Sequence, residues 1–127
     1  RPRPARLRLS RSFGPARVAL GARRIGTIFL DNSEDEKKNP AERSAPDYVS
    51  KRIGPYTVVD AQATIDLTKL VAKRGATLRL DLWVDNLLNE KYVAMGYSYP
   101  SGDFSSFYTE FFPGATRNFL AGLTFGF

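Results

Sequence analysis

Apolar and polar residues alternate along most of this chain with a period of two, not 3.6. From Val59 the apolar positions are Val59, Ala61, Ala63, Ile65 and Leu67, separated by Asp60, Gln62, Thr64 and Asp66. From Leu78 they are Leu78, Leu80, Leu82 and Val84, set against Thr77, Arg79, Asp81, Trp83 and Asp85. At the end Phe119, Ala121, Leu123, Phe125 and Phe127 alternate with Asn118, Gly122, Thr124 and Gly126. Trp83 and Leu120 are apolar on the polar parity. Successive side chains of a strand point to opposite faces, so each segment predicts a strand with one apolar and one mainly polar face.

The first third is less regular. Leu7 and Leu9 alternate with Arg6, Arg8 and Ser10 before Gly14-Pro15 breaks the run as a tight turn. Val18, Leu20, Ala22, Gly26, Ile28 and Leu30 share one parity, and Arg17, Ala19, Gly21, Arg23 and Thr27 the other, though Ile25 and Phe29 fall there too. Arg24 falls on the apolar parity, where a bulge could re-aim it or its stem could carry the charge to a polar boundary.

The expected elements are strands at 5–13, 16–30, 55–67, 76–88 and 115–127, with connections that run short, long, short, long. The long connections are 31–54 and 89–114. An all-β antiparallel meander of about five long strands follows. Outer-membrane barrels have this asymmetry of short turns and long loops. The strand expected at 76–88 would be ~44 Å long, and tilted by ~45° it would rise ~30 Å, the thickness of a bilayer's hydrocarbon core. No run of ~18 apolar residues predicts a membrane-spanning helix.

Composition narrows the chemistry. The 127 residues contain no Cys and no His. That removes disulfides, thiolate chemistry, Cys/His zinc sites and His-based acid–base catalysis. No catalytic residue, metal or cofactor is expected. Asp81 and Asp85 share a strand face, but four residues separate them by ~13 Å, beyond the ~5–9.5 Å carboxyl spacing of glycoside hydrolysis. Glu34, Asp35 and Glu36 with nearby Asp31 could offer oxygens to calcium. Lys37 and Lys38 follow at once, so a solvated charge run is the expectation.

The net charge is +6, and residues 1–24 hold eight Arg and no acid. A nucleic-acid arm is one reading. Here most of the Arg interleave with Leu, Val and Ala, which instead lines one strand face with charge; no nucleic-acid partner is expected. Aromatics make up 13% of the chain. Many lie in 89–114: Tyr92, Tyr97, Tyr99, Phe104, Phe107, Tyr108, Phe111 and Phe112. Amphipathic rings favour membrane interfaces, so an aromatic girdle with loop packing is the expected role. If the segment binds a solute, Tyr97, Tyr99, Phe104 and Tyr108 are the residues expected to meet it.

Three segments carry a resemblance. Ile53-Gly54-Pro55-Tyr56-Thr57-Val58-Val59-Asp60 opens a strand with Tyr and then Val-Asp. Val84-Asp85-Asn86-Leu87-Leu88-Asn89-Glu90-Lys91-Tyr92-Val93 follows, and then Pro113-Gly114-Ala115-Thr116-Arg117-Asn118-Phe119 with terminal Phe127. In this order and spacing they resemble the closing strands of TonB-dependent receptors, the siderophore-type receptors of the outer membrane. Leu88 stands where that family usually has Phe, and Asn89 where Asp is common. Residues 1–52 carry no signature of their own.

The resemblance implies a barrel of about 22 strands around a plug domain. Residues 1–127 would then be a C-terminal piece of the barrel domain, without the plug or the segment that meets TonB. It implies energy-coupled uptake of a scarce solute, most often a ferric siderophore, in the outer membrane of a Gram-negative bacterium. Outer-membrane lipid, the TonB complex and the barrel assembly machinery would be the partners. Phe119, Leu123, Phe125 and Phe127 would face lipid and form the assembly signal. Asp60, Asp66, Arg79, Asp81 and Asp85, with Arg6, Arg8, Arg17 and Arg23, would face the lumen and pair across neighbouring strands. The competing reading is a small soluble β-barrel or sandwich that holds an apolar ligand, with the apolar parity inside.

Overall fold

The computed structural model describes residues 4–30, 40–46, 48–71, 75–100, 102 and 107–127. In chain order it contains β1 (Ala5–Phe13), β2 (Ala16–Ile25), β3 (Ile28–Phe29), a one-turn helix α1 (Pro40–Arg43), β4 (Arg52–Ile53) and β5 (Tyr56–Asp66). A 3-10 turn (Thr68–Leu70) precedes β6 (Thr77–Asp85), β7 (Val93–Pro100), β8 (Phe107–Pro113) and β9 (Asn118–Gly126). Among the described residues no helix is long and apolar enough to cross a membrane.

The chain divides into two compact units. The first holds Pro4–Arg24, Thr57–Glu90 and Ala115–Phe127, and its frame is a five-stranded sheet in the order β1-β2-β5-β6-β9. The alternation dictates its register. Leu9 opposes Leu20, Ile65 opposes Leu80, and Leu80 opposes Leu123, so the apolar parity of each strand falls on one face. A slip of one residue would exchange the two faces of a strand, which is why the pattern fixes the pairing. Gly14 adopts φ +53° in the β1–β2 turn, a conformation that costs a residue with a Cβ more than it costs glycine. β1 and β9 are the sheet's edges.

The two faces of the sheet differ in chemistry. The buried side chains of these five strands are Ala19, Val58 and Asp81. All three lie on the mainly polar parity. The apolar parity is open: Leu9 is 62% exposed, Phe119 70% and Leu123 68%.

The second unit, Ile25–Tyr56 and Lys91–Gly114, carries two short sheets, β3-β4 and β7-β8. Leu30 N–H donates to the Lys51 carbonyl at 2.9 Å beyond the β3–β4 pair. Gly96 on β7 accommodates the Leu30 side chain and the Glu110 carbonyl, which a Cβ there would meet at 3.0 and 2.8 Å.

Several boundaries differ from expectation, among them the last strand, which begins at Asn118 and not at 115. The strand expected at 16–30 stops at Ile25, because Gly26-Thr27 interrupts it and Ile28–Phe29 pairs with Arg52–Ile53 instead. The stretch 31–54, read as loop, therefore includes β4 and α1. The strand expected at 76–88 ends at Asp85, where Asn86 turns the chain at φ 52°. Nine residues span ~31 Å, within the ~9–11 residues of a tilted membrane strand. The largest difference is 89–114, expected as loop and found as the β7–β8 hairpin. Arg24 needs no bulge: it stays in register opposite Ala5 and donates to Thr57 Oγ1 at 3.1 Å.

Candidate functional site

The segments that carry the resemblance are clasped together. In the sheet unit the hub is Asn86, 2% exposed. Its backbone N–H donates to Asp60 Oδ1 at 3.1 Å. Its Nδ2 donates to the carbonyls of Glu90 at 2.9 Å and Ala115 at 3.0 Å, and its Oδ1 accepts the Glu90 N–H at 2.9 Å. The side-chain oxygen and both amide protons are thus engaged, as a buried amide requires. Leu87 N–H donates to the Val59 carbonyl at 2.7 Å, and Arg117 N–H to Asn89 Oδ1 at 3.0 Å. Asn89 also has positive φ, 53°, which Asn tolerates better than most residues.

In the second unit the same three segments meet again through aromatic contact. Tyr56 and Tyr92 stack at 4.4 Å with their planes 23° apart. Gly114 N–H donates to the Tyr92 carbonyl at 2.8 Å. The Tyr92 ring fills the space where a Gly114 Cβ would stand. The spacing signalled these residues, but not that their work is structural.

The hairpin brings three of the four expected ligand residues onto one face. Tyr99 opposes Tyr108, with ring centroids 5.8 Å apart, and Tyr97 opposes Glu110. Tyr97 also meets Phe112 edge-on at 5.8 Å. All three tyrosines are exposed; Tyr108 is 56% so. Phe104 lies outside the described residues, as do the acidic residues 31–36. Glu110, which sequence reasoning did not single out, accepts the Tyr99 hydroxyl at 2.8 Å. That bond and the nearby carboxylate charge raise the Tyr99 pKa above its usual 10.0. The signal was available: Val93, Met95, Tyr97 and Tyr99 alternate with Ala94, Gly96 and Ser98.

The register and alternation set Asp60, Asp66, Arg79, Asp81 and Asp85 on one face, together with Arg6, Arg8, Arg17 and Arg23. Among the described residues the expected cross-strand ion pairing does not form; the ion pair lies within one strand. Arg79 opposes Asp66 but gives its Nε to Asp81 on its own strand at 2.8 Å. Asp81 also accepts Thr64 Oγ1 at 2.8 Å. Asp66 accepts the Thr68 N–H at 2.9 Å and so closes the turn after β5. Arg8 donates to the neutral Gln62 at 2.9 Å, and Arg17 lies 3.4 Å from Ser10. Trp83, on the same face, lies over Gly122, whose Cβ would meet the ring at 3.3 Å.

Phe119, Leu123 and Phe125 of β9 share the open apolar face, opposite Val84, Leu80 and Leu78. Phe127 follows β9 at 95% exposure and 6.0 Å from the Phe125 ring. The fold defines an all-β protein of antiparallel sheets. Comparison with protein-family models, with curated proteins and with solved structures finds no match for this chain.

Proposed function

We propose that this chain supplies closing strands to an outer-membrane β-barrel of the TonB-dependent receptor type, whose work is energy-coupled uptake of a scarce solute such as a ferric siderophore. One observation carries the reading. The register gathers the apolar parity on one face of the five-stranded sheet, where Leu9, Phe119 and Leu123 stand exposed, and the charged parity on the other. Water is a poor solvent for such a surface and lipid a good one. A soluble ligand-binding module needs that apolar face covered.

On this reading Leu9, Leu20, Phe119, Leu123 and Phe125 contact lipid, and Asp60, Asp66, Arg79, Asp81 and Asp85 line the wet interior. Tyr97, Tyr99 and Tyr108 meet solute or the membrane interface at the outer side. The terminal strand engages the assembly machinery, and TonB acts through parts of the receptor beyond residues 1–127. No chemistry on the solute is involved.

The test is partition. The expressed chain is extracted with and without a mild detergent, and its β-content is read by far-UV circular dichroism. A β-rich chain only in detergent is the expected result. A β-rich, cooperative, soluble monomer in plain buffer would replace this reading with a ligand-binding β module.

A further inference from the structure

Three arginines, Arg6, Arg8 and Arg23, gather at the open end of the β1–β2 hairpin. Arg6 and Arg23 stand directly opposite one another, a like-charge pair that opposes strand pairing. Arg8 is two residues further along the same face, ~7 Å away, and its partner in register is Gly21. A Cβ on Gly21 would meet nothing nearer than the Leu7 carbonyl at 4.0 Å, so the space above it is open. Arg6, Arg8, Arg23, Gly21 and Asp60 line a depression of about 310 Å³. Arg23 Nε is buried without a hydrogen-bond partner, and one terminal nitrogen of Arg8 donates to the neutral Gln62 at 2.9 Å. Among the described residues none of Arg6, Arg8 and Arg23 forms an ion pair. Asp60, the one acid in the lining, already accepts the Asn86 N–H.

We infer that this depression is a binding site for a phosphate-class oxyanion carrying two or more negative charges. Guanidinium groups that line an open depression without an ionic partner offer charge-assisted donors to an anionic acceptor. The planar guanidinium fork matches a tetrahedral oxyanion, and three arginines lining one depression carry more charge than its single carboxylate can neutralise. The anion also removes the repulsion between Arg6 and Arg23. The site lies at the far end of the hairpin from Gly14-Pro15, where β2 leads into the long connection. It requires only the folded sheet, whether or not lipid covers the other face.

The experiment titrates inorganic phosphate, pyrophosphate and acetate into the detergent-solubilised chain and follows binding by calorimetry, with the fold checked by circular dichroism. Saturable binding is expected, tightest for pyrophosphate and weakest for acetate. Arg6→Gln and Arg23→Gln each weaken pyrophosphate about tenfold, the value of one lost charge-assisted contact. Because each removes a like charge from an opposed pair, both variants fold at least as stably as the parent. Arg11→Gln makes the same charge change on the other face of β1 and leaves binding unchanged. Equal weakening by Arg11→Gln, acetate binding as tightly as pyrophosphate, or no saturable binding by the folded chain each overturns the inference.

Discussion

Asn86 reaches across the sequence to Ala115: its side-chain amide donates to that carbonyl at 3.0 Å and so ties the end of β6 to the approach to β9. The same amide holds Glu90 in both directions. Asn86→Ala leaves the Glu90 and Ala115 carbonyls and the Glu90 N–H without their partner and keeps a positive φ, now on alanine. The expected loss is about 2–4 kcal/mol in denaturant unfolding. Asn86→Gly loses the same hydrogen bonds but relaxes the backbone, so it is less damaging. If alanine and glycine are equally tolerated at wild-type level, the clasp has no energetic role.

Gly114 and Tyr92 form a coupled pair. Gly114→Ala sets a methyl against the Tyr92 ring and is expected to destabilise by about 1–3 kcal/mol, as overpacking does. Removing the ring in Tyr92→Ala lets the methyl in. In a double-mutant cycle the double variant therefore loses less stability than the two single losses added together, measured by the same unfolding curves. Additive losses would mean that the ring moves aside freely.

Leu123 separates the membrane reading from the soluble one. It opposes Leu80 near the middle of β9 and is 68% exposed. Leu123→Arg in lipid vesicles should cost about 2–4 kcal/mol, while Thr124→Arg, on the other face, should be mild. In a soluble protein a leucine so exposed tolerates arginine. Vesicle-refolded protein, unfolded by denaturant, gives both values.

Tyr99 supplies a pH dependence. Its folded pKa is raised, chiefly because its hydroxyl donates to Glu110. A raised pKa favours the neutral phenol, so this contribution is fully present below the usual 10.0 and lost as pH rises through the folded value. The β7–β8 hairpin should loosen in that alkaline window. Phenolate absorbance compared between parent and Tyr99→Phe isolates the titration. Glu110→Gln should return it toward the ordinary tyrosine range; no movement in that variant would assign the shift elsewhere.

The alternation made the five-stranded sheet legible, down to its faces. Leu80 can oppose Ile65 and Leu123 only in the register that keeps Asp81 beside Thr64 and Gly122. Strand ends were less legible, because alternation says nothing about dihedral angles. Asn86 and Asn89 were in view, but their positive φ follows from the clasp they enter. The β7–β8 hairpin is hard to see for another reason: its aromatics suit a loop or girdle as well as a strand, which masks the alternation of Met95, Tyr97 and Tyr99. The arginine cluster showed its side of the sheet, but the neutral partners of Arg8 and Arg17 emerge only from three-dimensional distances.

The pairing of β6 with β9 sets an order of folding events. Asp85 opposes Asn118 and Thr77 opposes Gly126, so each rung away from Asp85 encloses a longer loop than the last. Loop closure costs entropy that grows with the chain enclosed. The β7–β8 hairpin uses only local pairing, and once formed it shortens the floppy chain between the two strands. Zippering then starts beside Asn86 and runs toward the terminus. The Thr77–Gly126 rung is the last to close and the first to fray.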